Sequence, residues 1–244
     1  MNQEYSRPAT IEEALKLLKN TDALPLYGAN ASRAFSGSKT IVDLQNCGPR
    51  SITVEDDQLL IGACATLQDL LDHPALPAKI KEILMVEERQ NLRNMTAIAD
   101  VVLYADGLSL FLSTLLALDA KVMIAGHKAA VPVGDIVALG TDNLILEVVL
   151  PLKPQFAYES VSRTPMDKPV VLACLAKWPG ERVRLVLGGY GKKPVLVVDG
   201  KGSFGVDLAA ASAFAQASDP KASAEYRSEM AKLLTINCIE KIKG

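Results

Sequence analysis

The apolar run Leu144-Ile145-Leu146-Glu147-Val148-Val149-Leu150 stops at Pro151, with Pro154 close behind. Proline lacks a backbone N–H and locks φ, so a sheet ladder cannot be carried through this point. The prolines therefore predict two domains, residues 1–153 and 154–244. Within the first, Gly48-Pro49 marks a further division into subdomains of about 1–50 and 51–153. The chain has 244 residues, 49% of them apolar and only 5% aromatic, enough for two compact units, each with its own core.

The pattern on either side of the prolines mixes helices with short strands. Thr10-Ile11-Glu12-Glu13 has the form of a capping box, and Ile11, Ala14, Leu15, Leu17 and Leu18 supply a helical stripe ending near Asn20. Strands are expected at Leu24–Tyr27, Thr40–Leu44, Ser51–Val54 and Leu59–Ala63, and helices at Leu67–Leu71 and Ala78–Glu88. Leu108–Leu118 reads as a buried helix, followed by a strand at Lys121–Ala125 that turns through Gly126-His127-Lys128 into a hairpin with Ala129–Val133. Beyond the prolines come strands at Ala157–Ser162, Val170–Lys177 and Val183–Leu187, then helices at Asp207–Ala217 and Ala222–Leu234. The last helix is expected to turn Tyr226, Met230 and Leu233 or Leu234 to the core. Gly188-Gly189-Tyr190-Gly191-Lys192-Lys193-Pro194 lacks the G-x-x-x-x-G-K-[ST] spacing of a phosphate loop and reads as a structural turn.

Several function classes drop out. The 26 basic and 28 acidic residues are spread without long runs, which argues against a nucleic-acid surface. The apolar run 108–118 is too short for a membrane span. Met1-Asn2-Gln3-Glu4-Tyr5 lacks the regions of a signal peptide, so a cytoplasmic location is expected. Cys47, Cys64, Cys174 and Cys238 show no paired spacing, and His73 and His127 have no ligand partner at helical spacing, so no metal site is expected and the cysteines read as buried thiols. No Ser-His-Asp or Cys-His constellation is evident, and no catalytic residue is assigned.

Several segments carry a resemblance. They are Arg7-Pro8 with Ile11–Leu18, Ile61-Gly62-Ala63-Cys64-Ala65-Thr66-Leu67, Arg93-Asn94 with the segment that follows, Leu115–Ala120, and Asp219-Pro220-Lys221-Ala222-Ser223-Ala224-Glu225-Tyr226-Arg227. In this order and spacing the chain resembles the FAD-binding (medium) subunits of molybdenum hydroxylases, the carbon monoxide dehydrogenase–xanthine dehydrogenase family. The resemblance implies an α+β protein: a two-subdomain FAD-binding fold of the molybdopterin dehydrogenase (PCMH) type, followed by a C-terminal α+β domain of sheet packed with helices. It implies FAD as cofactor, bound by Gly28, Ala29, Asn30, Ala31 and Ser32 together with Thr96, Ala97 and Asp100. It also implies two partners, a molybdenum-cofactor large subunit and a 2Fe–2S small subunit.

The binding loops depart from the family pattern. Tyr27-Gly28-Ala29-Asn30-Ala31-Ser32 stands for Ala-Gly-Gly-Thr, and Ala97-Ile98-Ala99-Asp100-Val101 for Thr-Ile-Gly-Gly-Asn. Leu110 takes the place of a family aspartate, with Asp106 nearby in a shifted register, and Tyr158-Glu159-Ser160-Val161-Ser162 lacks the lysine often found before the arginine matched by Arg163. Glycines let backbone approach a diphosphate closely, which a Cβ obstructs. Two unit charges about 4 Å apart interact by roughly 1 kcal/mol in water and about 4 kcal/mol at an effective dielectric of 20, so an aspartate aimed at a diphosphate weakens it by roughly one to three decades. Three arrangements relieve that repulsion: Arg33 neutralises Asp100, Arg93 does so, or the carboxylate points away. The expectation is an oxidoreductase subunit with FAD affinity lost or strongly reduced, acting as a scaffold. The alternative is a functional FAD subunit passing electrons from the iron–sulfur subunit to an external acceptor. A free-standing flavin reductase ranks below both, for want of a G-x-G-x-x-G after a strand.

Overall fold

A computed structural model describes residues 4–19, 22–28, 40–139, 144–164 and 167–243. Helices and sheets are mixed throughout, as an α+β chain requires. The chain folds as two compact units: Met1–Tyr104 with Ala120–Leu150, and Ala105–Asp119 with Pro151–Gly244. The segment 105–119 thus leaves the first unit to pack in the second, an excursion that a single boundary at residue 153 takes no account of.

The first unit holds two sheets. Strands β1 (Glu4–Ser6), β2 (Ala23–Leu26) and β3 (Thr40–Asp43) form a parallel sheet in the order β1-β3-β2. Helix α1 (Ile11–Leu18) connects the first two strands, with Thr10 accepting the Glu13 amide as its cap. The second sheet has the order β4-β5-β8-β6-β7, from β4 (Ile52–Glu55), β5 (Gln58–Gly62), β6 (Lys121–Ile124), β7 (Val131–Pro132) and β8 (Ile145–Pro151). The same unit holds α2 (Leu67–Asp72), α3 (Ala78–Glu87), α4 (Gln90–Arg93), α5 (Ile98–Tyr104) and α7 (Val133–Leu139). Thr66 and Asp69 close a full capping box on α2.

The second unit is an antiparallel meander, β9 (Gln155–Val161), β10 (Val171–Lys177), β11 (Arg182–Gly188) and β12 (Val195–Lys201), with α8 (Val206–Ala213) and α9 (Ala224–Lys243). Val171–Ala176 are all buried, because the sheet is covered on both faces. Val171, Ala173 and Leu175 join the core that α8 and α9 complete. Cys174, on the opposite face, meets Thr114 of α6 (Leu110–Ala117), with Sγ 3.8 Å from Oγ1. A strand buried on both sides reads as an unbroken apolar run, which is why β10 was legible.

Some expectations need correction. β1, β12, α4, α5 and α7 were not anticipated. On α9, Tyr226 and Leu233 are 41% and 47% exposed, and the buried stripe is Arg227, Ala231, Leu234, Thr235, Cys238 and Ile242. Leu234 is buried and Met230 packs against the core, as expected, whereas Tyr226 is turned outward and the first member of the stripe, Arg227, is charged and so escapes an apolar pattern. Cys64, Cys174 and Cys238 are buried, whereas Cys47 is partly exposed. Leu110, at the position of the family aspartate, begins α6 and is buried, while Asp106 accepts the Leu108 amide.

Candidate functional site

Two of the segments that carried the resemblance, Ile61–Leu67 and the one that follows Arg93-Asn94, are stitched together by their backbones. After β5, the turn Ala63-Cys64-Ala65-Thr66 lies against residues 96–99. Ala99 donates to Ala63 O (3.2 Å), Ile98 to Ala65 O (2.9 Å), and Leu67 to Thr96 O (2.9 Å). Thr66 and Ala97 form an isolated bridge. Gly62 is needed here because a Cβ would stand 2.6 Å from Pro49 O. The first-sheet turn then closes on the same place. A Cβ on Gly28 would meet Met95 O at 2.4 Å, Ala97 N at 2.7 Å and Asp100 Oδ2 at 3.0 Å, so on that side the glycine is in direct backbone contact with residues 95–100.

Asp100 is the group at this junction. It is only 3% exposed and sits in the first turn of α5. Its Oδ1 accepts the Tyr27 amide (3.1 Å) and its Oδ2 the Gly28 amide (2.7 Å). The Ala97 N–H also hydrogen-bonds to the carboxylate, the reach from the third helical residue back to the cap that a capping box uses. Burial pushes the Asp100 carboxyl up to about 7; the amides of Tyr27, Gly28 and Ala97 pull the other way, and the Asp43 charge adds to the rise. Among the described residues no basic side chain pairs with it.

The neighbours lock this turn. Tyr27 is 1% exposed, and its hydroxyl accepts the Ile145 amide of β8 (2.6 Å). Burial raises the Tyr27 pKa well above its ordinary value. Tyr104, at the far end of α5, donates to Pro25 O of β2, and burial followed by the Asp100 charge raises its pKa too. Asp43, at the end of β3, accepts from the Tyr5 hydroxyl and the Gln45 amide and is paired with Arg7 (3.3 Å).

Of the expected cofactor residues, Gly28, Thr96, Ala97 and Asp100 are brought together. Ala29, Asn30, Ala31 and Ser32 lie outside the described residues, as does Arg33. Thr96 is buried and gives its hydroxyl proton to Leu92 O (2.9 Å), within its own turn. Arg93 does not neutralise Asp100: its guanidinium goes to Gln68 Oε1 (3.0 Å) and Glu88 O (2.7 Å). Tyr27, Asp43 and Tyr104 were not singled out from the sequence. Their roles depend on pairings 38 to 118 residues apart, for which the sequence carries no local signal.

The glycine cluster in the second unit is structural. Gly189 has φ +92°, and a Cβ there would stand 2.5 Å from Val170 C and O. Its amide donates to Gly107 O (2.7 Å), and Gly107 itself is pressed against Tyr190 O. No group of His, Cys, Asp or Glu among the described residues could hold a metal ion, and none of their helices is long and apolar enough to cross a membrane.

The family model of the FAD binding domain in molybdopterin dehydrogenase matches residues 1–153, and the chain belongs to that family. The uncharacterized protein YgfM of Escherichia coli (strain K12) is 27% identical over 207 residues, 82% of this chain and 79% of that protein. Among solved structures, a chain of the reconstituted CO dehydrogenase from Oligotropha carboxidovorans superposes with a TM-score of 0.82 at 22% identity. A chain of quinoline 2-oxidoreductase from Pseudomonas putida 86 gives 0.77 at 21%. Each match covers 100% of this chain and 98% of the other, so the likeness of fold extends through both units.

Proposed function

We propose that this chain is the medium, flavoprotein-type subunit of a molybdenum hydroxylase-like oxidoreductase complex, and that its FAD affinity is lost or strongly reduced so that it serves as a scaffold. Its partners on this reading are a molybdenum-cofactor large subunit and a 2Fe–2S small subunit. The observation that carries the reading is the Asp100 carboxylate on the Tyr27 and Gly28 amides. A diphosphate fits these residues poorly. Brought to the same donors it would meet a carboxylate already seated there, and at about 4 Å and an effective dielectric of 20 each charge pair costs about 4 kcal/mol. On its Cβ side Gly28 is closed off by Met95 O, Ala97 N and the Asp100 carboxylate.

One observation favours the alternative, a functional FAD subunit. With its carboxyl pushed up to about 7, Asp100 is uncharged in part of the population at neutral pH, which weakens the repulsion. The test is the flavin absorbance of the purified protein, followed by titration with FAD by calorimetry. The proposal expects no flavin bands and no saturable heat. A full complement of FAD rejects it and restores the electron-transfer role. Co-purification with a molybdenum-bearing and an iron–sulfur chain checks the scaffold half, and isolation without either from the native cell overturns that half.

A further inference from the structure

We infer that the Asp100 carboxylate is an internal anion standing in for a ligand's anion at the Tyr27–Gly28 turn, tying the end of β2 to the start of α5 so that this part of the fold closes without a cofactor. The inference rests on the proposed loss of FAD affinity and adds what takes the vacated role.

Three observations carry it. First, the two carboxylate oxygens divide two successive amides between them, 2.7 and 3.1 Å away, as a phosphate does on a backbone turn. Second, these amides come from residues 72 and 73 positions earlier in the chain, so the contact is more than a helix cap. A cap needs only the Ala97 amide. Third, the site is built: Asp100 and Tyr27 are 3% and 1% exposed, and the Tyr27 hydroxyl is fixed on Ile145. Buried N–H groups must find an acceptor somewhere, and here a side chain supplies it from within.

An internal anion can be replaced by an external one, whereas lost packing cannot. The experiment is thermal melting of wild type, Asp100→Gly and Asp100→Ala, in inorganic pyrophosphate and in potassium chloride of matched ionic strength. Pyrophosphate at saturation is expected to raise the melting temperature of Asp100→Gly by roughly 5–10 °C over the chloride control and to leave wild type unmoved. Equal responses in variant and wild type, including no response in either, overturn the inference. If Asp100→Gly does not fold, the readout is the refolding yield of Asp100→Ala. A higher yield in pyrophosphate than in chloride supports the inference, and equal yields overturn it. Failure of the functional reading is seen separately: FAD raising the melting temperature of wild type defeats the claim of lost affinity, while the assignment of Asp100 is decided by the variants in pyrophosphate.

Discussion

Two glycine turns, one in each unit, are held by the same device with the charge reversed. At Tyr27-Gly28 a buried carboxylate accepts backbone N–H groups. At Gly188-Gly189 a buried guanidinium donates to backbone carbonyls: Arg227, with 0% exposure, serves Val170 O and Gly189 O through one nitrogen and Asp219 (2.7 Å) through another, and lies 5.0 Å over the Tyr190 ring. The difference is in neutralisation. Arg227 has Asp219 as counter-ion, whereas Asp100 has no basic partner among the described residues. Guanidinium groups stay charged wherever a protein survives; carboxyl groups do not. The second turn is thus a permanent clamp, and the first a clamp whose charge depends on pH.

The largest expected effect breaks the permanent clamp. Arg227→Ala removes the one buried nitrogen that donates to two backbone carbonyls, as well as the partner of the half-buried Asp219, and each buried acceptor left without a donor costs about 1–3 kcal/mol on top of the packing lost. Urea unfolding is expected to show that loss, and a loss below about 1 kcal/mol, the range of an exposed pair, would mean that the two turns are not comparable.

The next effect tests the charge dependence. The folded-state carboxyl of Asp100 is raised from 3.8 to about 7, so between these values the native state holds a proton that the unfolded chain has released. Stability therefore falls as pH rises from about 4 to about 7 and then levels off, by on the order of 2–4 kcal/mol for this group. The charge that acts on it is that of Asp43; Tyr27, Tyr104 and Cys64 are all raised by burial and stay neutral through this window. Asp100→Asn is expected to flatten the fall, read as the difference between wild-type and variant urea midpoints across the window. If both chains keep the same slope, the pH dependence belongs to another group and the contrast with Arg227 loses its basis.

The comparison also explains what was legible in the sequence. The meander was readable where strands are covered on both faces, as at β10, but not at β12, an edge strand whose Val195 and Leu196 are exposed just after Pro194. Residues 97–101 were read as a binding loop because the resemblance places one there. Ala99 and Asp100 in place of glycines suit the first turn of a helix, and a helix is what forms. Asp100 was recognisable as the critical residue, but its acceptor role was not, since its partners lie more than seventy positions away. Arg227 belonged to a recognised motif, yet its burial contradicts hydropathy and is explained only by the carbonyls of Val170 and Gly189.

The smallest effect sharpens the contrast by moving the same chemistry to the surface. Asp69 accepts the Thr66 amide at 2.8 Å and Thr66 accepts the Asp69 amide at 3.0 Å, again a carboxylate on a backbone N–H at a helix start, but exposed to water. Water can replace either bond, so Thr66→Ala is expected to cost only about 1 kcal/mol in urea unfolding. It should also leave the slope between pH 4 and 7 as in wild type, because that slope is assigned to the buried carboxylate. A Thr66→Ala loss as large as that of Arg227→Ala, or a flattened slope in this variant, would mean that the start of α2 and the start of α5 behave as one unit through the bonds joining residues 63–67 to 96–99, and that Asp100 cannot be treated as a separate clamp.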